Sequence, residues 1–286
     1  MPCDDLMMTE KQYAISEVSE LTGVNTVTLR AWQRRYGLLN PKRTPKGHRV
    51  YNDDDVNQIK TILTWLDKGV SIGKVKPLLS QPVVELADNE TLEGFDSVVA
   101  NIEAFNKAKL EKQLIQLLKE YPLTLLHKQL LTPLDTHFEQ QALPLTSVNY
   151  AFWLATLNEV LIGTTHQIKA KSNQQVLVLG LDEKPNYAVA LQGLKHKQQG
   201  KRVIVLEQFS LDRHGISAVD AMVKQAGVSQ VVLVADTALK AKSVSDLQHW
   251  LPEFEQVGRY ELVGAIAEIH PMLLSSSSEQ VASESQ

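Results

Sequence analysis

The sequence predicts a multidomain chain of α and α/β class, with an N-terminal winged helix-turn-helix, a central four-helix bundle and a C-terminal doubly wound parallel sheet. Three observations predict it. Over 13–80, two short helices meet across a Gly turn, the second is basic and amphipathic, and a turn-rich basic hairpin follows. Over 95–172, apolar residues recur at helical period, broken by Pro122, Pro133 and Pro144. After Asn173 the pattern changes to short apolar runs separated by helical segments.

In the first block, Ala14-Ile-Ser-Glu-Val-Ser-Glu-Leu-Thr-Gly23 reads as a helix closed by Gly23 in the left-handed conformation, with Asn25 or Thr26 placed to cap the next one. In that next helix Val27, Leu29, Ala31 and Trp32 lie toward one side of a 3.6-residue period, while Thr28, Arg30, Gln33, Arg34 and Arg35 cover the rest. Such a pair forms a helix-turn-helix whose second helix can enter a major groove. Leu29 and Trp32, with Leu63 from the third helix, are expected in its core. Residues 38–51 carry Pro and Gly at turn positions between β-prone ends and read as a wing. Asn52 then caps a third helix over 56–68, and Ser71 a fourth over 72–79. Pro82 ends the domain, set at 12–81, and an acidic linker follows without the sustained heptads of a coiled coil.

Between residues 26 and 50 the charged side chains are Arg30, Arg34, Arg35, Lys42, Arg43, Lys46 and Arg49, with no acid among them. The whole chain carries a formal net charge of −4, so this is a local field of the kind that follows a phosphate backbone. A merely solvated face would intersperse both signs. Double-stranded DNA is therefore the expected partner. Thr28, Arg30, Gln33 and Arg34 would face the major groove, where Arg and Gln suit guanine and adenine edges. Lys42, Arg43, His48 and Arg49 on the wing, with Tyr36 and Tyr51, would hold phosphates, and Thr26, Arg35, Lys46 and Gly47 complete the expected interface.

The bundle, set at 95–172, has apolar faces through Val98, Val99, Ile102 and Phe105, then Leu110, Leu114, Ile115, Leu117 and Leu118, then Leu125, Leu126, Leu130, Leu131 and Leu134. A fourth face runs over 148–168 through Trp153, Leu154, Leu157, Val160 and Leu161. The third block, 173–272, has buried strands at 175–180, 202–206 and 230–235 and a last one near 260–265. Helices near 188–198, 218–225 and 243–250 separate them, which implies a parallel, Rossmann-like sheet. The polar end, 273–286, is expected to be disordered.

Other classes find little support. No apolar run is long enough for a bilayer, and the acidic N-terminus lacks the features of a signal peptide, so a cytoplasmic protein is expected. Cys3 is the only cysteine, which leaves this chain alone no intrachain disulfide and no thiolate metal site. No nucleophile elbow, zinc-protease motif or phosphate-binding loop occurs, and the histidines show no metal-ligand spacing, so neither enzyme activity nor a metal is expected.

The motif Thr28-Leu-Arg-Ala-Trp-Gln-Arg-Arg-Tyr-Gly-Leu-Leu39, followed by Gly47-His-Arg-Val-Tyr51, resembles the winged-helix domain of MerR-type transcription regulators. Within that family it is most similar to the subgroup with a cobalamin-type sensor domain, in the branch that governs curli and biofilm genes and its blue-light-linked neighbours. The resemblance implies a dimer on a two-fold operator, RNA polymerase as an indirect partner through promoter distortion, and a C-terminal domain that receives a signal from a protein or small molecule. An inherited but emptied sensor domain is the plainer reading; a protein or small-molecule partner, a signalling protein among the candidates, is the sharper one. The alternative it implies is a cobalamin-dependent, light-sensing repressor.

Cobalamin-binding relatives place Asp-x-His-x-x-Gly after the first strand of the sensor domain, the imidazole ligating cobalt with the Asp as its partner. The resemblance aligns Glu183 with that Asp, Pro185 with the His and Ala188 with the Gly. Proline has no ligand atom. The light-sensing members also carry a Trp followed by Glu-His in the bundle, whereas here Trp153 is followed by Gly163-Thr-Thr-His166. His196 lies too far along the next helix to substitute. The segment also lacks a Gly-x-Gly-x-x-Gly cradle for a dinucleotide. No bound cofactor is expected.

Overall fold

In the computed structural model the chain is described over residues 11–80, 91–140, 146–183, 186–210, 212–255 and 258–274. Cys3, Pro185, most of the expected linker and residues 275–286 lie outside these. Two compact units result, Met1–Trp153 and Leu154–Gln286.

Capping chemistry sets the first helix pair. α1 (Ile15–Thr22) ends where Gly23 takes φ 70° and donates its N–H to the Ser19 carbonyl, a backbone conformation that favours glycine. Asn25 opens α2 (Thr26–Ala31), its Oδ1 accepting from the N–H groups of Val27 and Thr28, both at 2.9 Å. The helix continues as a π-turn over Trp32–Tyr36 and stops at Gly37. β1 (Tyr13–Ala14), β2 (Lys42–Arg43) and β3 (Arg49–Tyr51) form an antiparallel sheet in the order β1-β3-β2. The wing strands match the expectation. β1 is too short to show a period and exists through its pairing with β3.

α3 (Asp53–Asp67) starts at a reciprocal box in which Asn52 Oδ1 accepts from Asp55 N–H and Asp55 Oδ2 accepts from Asn52 N–H. It buries Val56, Ile59, Ile62, Trp65 and Leu66, and Leu63 is only half-buried beside them. α4 (Ile72–Val75) is shorter than expected and passes into a 3-10 turn over Lys76–Leu78. Ser71 occupies its N-cap position without a capping bond and instead hydrogen-bonds Glu93.

α5 (Phe95–Glu103), α6 (Lys107–Glu120), α7 (Leu123–Leu126) with a π-turn over His127–Leu131, and α8 (Thr132–Gln140) follow the expected joints. α9 (Thr146–Gln167) contains the division between the units. Val98, Ile102, Leu110, Leu114 and Trp153 are enclosed as predicted, whereas Phe105, Ile115 and Val148 are exposed, since each lies at the margin of its apolar stripe or at a helix end. The sequence sets the bundle apart from the winged helix, yet the two pack directly. Gln129, 1% exposed, donates to the carbonyls of Leu66 and Asp67 at 3.0 and 2.8 Å, and so satisfies the open C-terminal end of α3. Lys128 pairs with Asp67 at 2.7 Å, and Ile72 N–H donates to Tyr121 OH at 3.2 Å.

In the second unit β4 (Gln175–Gly180), β5 (Arg202–Leu206), β6 (Val228–Val234) and β7 (Arg259–Val263) form an all-parallel sheet in the order β5-β4-β6-β7. α10 (Ala188–Gln198) packs on one face, against Val176, Val178, Val232 and Val234. α11 (Arg213–Ala226) and α12 (Ala241–Phe254) cover the other. Gly180 is needed where α10 approaches, because a Cβ there would meet Val189 Cγ2 at 2.6 Å. α13 (Ile266–Ile269) and a 3-10 turn over Pro271–Leu273 follow. The expected disordered tail therefore starts too early at 273. Leu273 is 2% exposed in the core and its carbonyl accepts from Tyr260 OH at 2.8 Å, because its apolar side chain completes the cluster under α12.

His196 is enclosed at the end of α10 among charged and polar neighbours: Lys201 and Lys195, the amide of Gln230 from β6 and Glu261 from β7. Burial, then the Lys201 charge, pushes its pKa down to about 4, with Glu261 opposing. The folded state keeps this imidazole neutral where the unfolded chain, near 6.5, takes a proton. Stability is therefore complete above about pH 6.5 and is lost progressively as pH falls toward about 4. The loss should be on the order of 3 kcal/mol. Urea denaturation over that range should show the slope, and His196→Leu should flatten it.

Candidate nucleic-acid interface

The exposed edge of α2 and the wing form one basic face. Arg34 and the wing residues Lys42, Arg43, Lys46 and His48 are exposed, and Arg30, Gln33 and Arg49 are half-buried between them. Gln33 Oε1 accepts from Arg49 Nε at 2.6 Å, which fixes the wing strand to the recognition helix. The wing turn closes through Thr44 N–H to the His48 carbonyl at 2.9 Å and Gly47 N–H to the Thr44 carbonyl at 2.8 Å. Gly47 holds it with φ 81°, and Arg43 Nη1 donates to the Gly47 carbonyl at 3.2 Å. These bonds present Lys42, Arg43, Lys46 and His48 from a short rigid hairpin.

Several residues predicted from sequence to face DNA are turned elsewhere. Thr28 is fully enclosed, its Oγ without a partner, because the third residue of a short helix facing its own core has no route outward. Tyr51 is 1% exposed, as β3 is the central strand, and burial is the main cause that raises its pKa. Thr26 is half-buried in the first turn of α2. Arg35 and Tyr36 point to the bundle: Arg35 Nη1 lies 2.6 Å from Glu120 Oε1, and Tyr36 hydrogen-bonds the same carboxylate. Burial and then Glu120 raise the Tyr36 pKa, so that phenol stays protonated. Trp32 Nε1 donates to the Glu120 carbonyl at 2.8 Å. Nothing in the local sequence of α2 signals this partner, which lies far along the chain.

The second unit contributes a crevice of about 460 Å³ at the C-terminal ends of β4, β5 and β6, the place where parallel sheets hold ligands. Asp182 lies in its wall, 7% exposed, a residue the sequence reading did not single out. Its carboxylate accepts from Asp236 N–H, Thr237 N–H, Thr237 OH and Asn186 Nδ2, so it ties the loop after β4 to the loop after β6. Glu183 and Lys240 pair across the mouth at 3.1 Å. His196 does not line this crevice, and His166 is exposed on α9. Among the described residues no group of His, Cys, Asp and Glu could hold a metal ion, and no helix is long and apolar enough to cross a membrane.

A helix-turn-helix whose second helix and wing share one basic face defines a DNA-binding transcription regulator. The sequence model of the MerR HTH family regulatory proteins matches residues 13–82. The HTH-type transcriptional regulator MlrA of Escherichia coli K12 is 35% identical over 198 residues, which is 68% of this chain and 79% of that protein. The HTH-type transcriptional repressor CarH of Myxococcus xanthus is 39% identical over 102 residues, 36% of this chain and 31% of its own length. The mercuric resistance operon regulatory protein of Bacillus cereus is 25% identical over 116 residues, 39% of this chain and 86% of its own. The chain belongs to the MerR family of helix-turn-helix transcription regulators, and its likeness to MlrA extends well beyond the DNA-binding domain.

The placement of Thr28 makes a test. Thr28→Val exchanges an unpartnered buried hydroxyl for a methyl, so it should leave stability unchanged or raise it by about 1 kcal/mol. It should also leave duplex affinity as in the wild type. Thermal unfolding and a binding titration check both.

Proposed function

We propose that this chain controls curli- or biofilm-type genes as a dimer on a two-fold operator, with its sheet domain receiving a signal from a protein or small molecule. The observation that carries DNA recognition is the basic face itself, in which Arg30, Gln33 and Arg34 lie between the bonds that anchor α2 and the hairpin that presents Lys42, Arg43 and Lys46. Arg34 and Arg30 read base edges; Lys42, Arg43, Lys46 and His48 hold phosphates and set register. The biofilm assignment rests on the likeness to MlrA and on the family branch that the sequence resembles. Regulation by binding, without catalysis, and action in the cytoplasm belong to the same reading.

The sheet domain, in this reading, binds no histidine-ligated cobalamin. Support comes from the segment 180–188 that follows β4, which has no histidine, from Asp182, whose carboxylate is committed to backbone and side-chain donors, and from His196, which is enclosed elsewhere. The light-sensing repressor reading needs that ligand.

Arg34→Ala should cost about 1–3 kcal/mol at the cognate duplex and relax preference at one base position. Lys42→Ala should weaken all duplexes alike and lower the salt slope by about one unit. Anisotropy titrations over a salt series separate the two, and the opposite pattern would reverse the roles of helix and wing.

Purified protein incubated with hydroxo-, methyl- or adenosylcobalamin should show no spectrum of a histidine-ligated corrinoid, and its duplex affinity should be the same in light and dark. Tight stoichiometric uptake with that spectrum would overturn the cofactor-free reading.

A further inference from the structure

Trp32, Arg35 and Tyr36 stand at i, i+3 and i+4, so they form one stripe of the recognition helix, opposite Arg30 and Arg34. All three end on one residue of α6. Glu120 takes the Trp32 indole N–H on its carbonyl at 2.8 Å and Arg35 and Tyr36 on its carboxylate. Its side chain is 5% exposed, and Gln116 supplies a further donor at 3.2 Å. Were Arg35 to turn to a DNA phosphate, this enclosed carboxylate would keep only neutral donors, a costly state for a buried charge. The phosphate, by contrast, stays solvated and has exposed lysines and arginines nearby. Arg35 therefore keeps its place when DNA is bound.

We infer that Glu120, on a helix outside the DNA-binding motif, is a positioning residue for DNA recognition: through Trp32, Arg35 and Tyr36 it sets the angle at which Arg30, Gln33 and Arg34 meet the groove. Arg35 is a strut and not a phosphate contact. This rests on the DNA-binding reading above and adds to it the route by which the bundle bears on the recognition helix.

The test uses the 286-residue chain and a duplex that the wild type selects from random sequence, beside a scrambled duplex. Glu120→Gln keeps the size and removes the charge; Arg35→Gln removes the strut at a half-exposed site where folding is less at risk. Each should lower the ratio of cognate to scrambled affinity by about tenfold, as expected when a supporting contact is loosened. The double variant should be no worse than either. In Arg35→Gln the salt slope should equal that of the wild type. Hydrogen exchange without DNA should be faster in Glu120→Gln at the amides of Gly37 and Leu38, which both bond the Trp32 carbonyl. A drop of about one unit in slope for Arg35→Gln would make Arg35 a phosphate ligand and overturn the inference. So would an undiminished ratio, or unchanged exchange, in Glu120→Gln. A wild type that fails to tell the two duplexes apart counts against the DNA-binding reading, and the exchange experiment then still decides whether Glu120 holds the helix.

Discussion

The indole N–H of Trp32 is the constraint on which the first unit is arranged. Trp32 is fully enclosed and its donor has no access to water, so leaving it unpaired would cost on the order of 1–3 kcal/mol. α2 cannot supply an acceptor, because its own carbonyls are used within the helix and its π-turn. The C-terminal carbonyl of α6 is open for the reason that every helix end is open. The indole of one element and the end of another therefore complete each other, and Glu120 adds its carboxylate at the same place. Gln129 repeats the arrangement in the opposite sense, a bundle side chain closing the end of α3. Winged helix and bundle thus share unmet hydrogen-bonding groups as well as apolar surface.

That sharing divides the basic residues of α2 by role. Arg34 and the wing bases look outward, while Arg35 neutralises an enclosed carboxylate. A count of positive charges treats these side chains alike. Their energetics differ, since a solvated arginine can exchange water for phosphate and a strut cannot leave a buried partner at comparable cost. The π-turn carries both tasks side by side, with Arg34 outward and Arg35 toward Glu120, and such widened turns recur at functional sites.

The sheet domain shows a similar separation between its two ends. Near the strand C-termini, Asp182 spends its carboxylate on holding two loops together beside the crevice. At the far end of α10, half-buried Lys201, Gln230 and Glu261 surround the enclosed His196 and satisfy one another in part, with His196 Nε2 left without a hydrogen bond. The first arrangement rigidifies a ligand-type crevice by neutral donors. The second makes the domain sensitive to acid.

Much was legible in the sequence because it depends on neighbours along the chain. Gly23 and Asn25 punctuate the helix pair and Asn52 and Asp55 cap α3 through interactions within a few residues, and the unbroken apolar run Val-Leu-Val-Leu179 marks a buried strand by composition alone. The acid-free stretch that ends in the wing is likewise a property of composition, and it pointed to nucleic acid before any fold was known. Tertiary structure alone decided what the side chains of the recognition helix meet: Thr28 went to the core, and Tyr36 and the half-exposed Arg35 went to Glu120. It also decided that β1 exists, that Asp182 bridges two loops, and that Leu273 belongs to the core and not to a tail. The physical reason is that periodicity assigns residues to a face of a helix or strand, whereas the chemistry of that face depends on the element that packs against it, and a partner some eighty residues away leaves no trace in the local pattern.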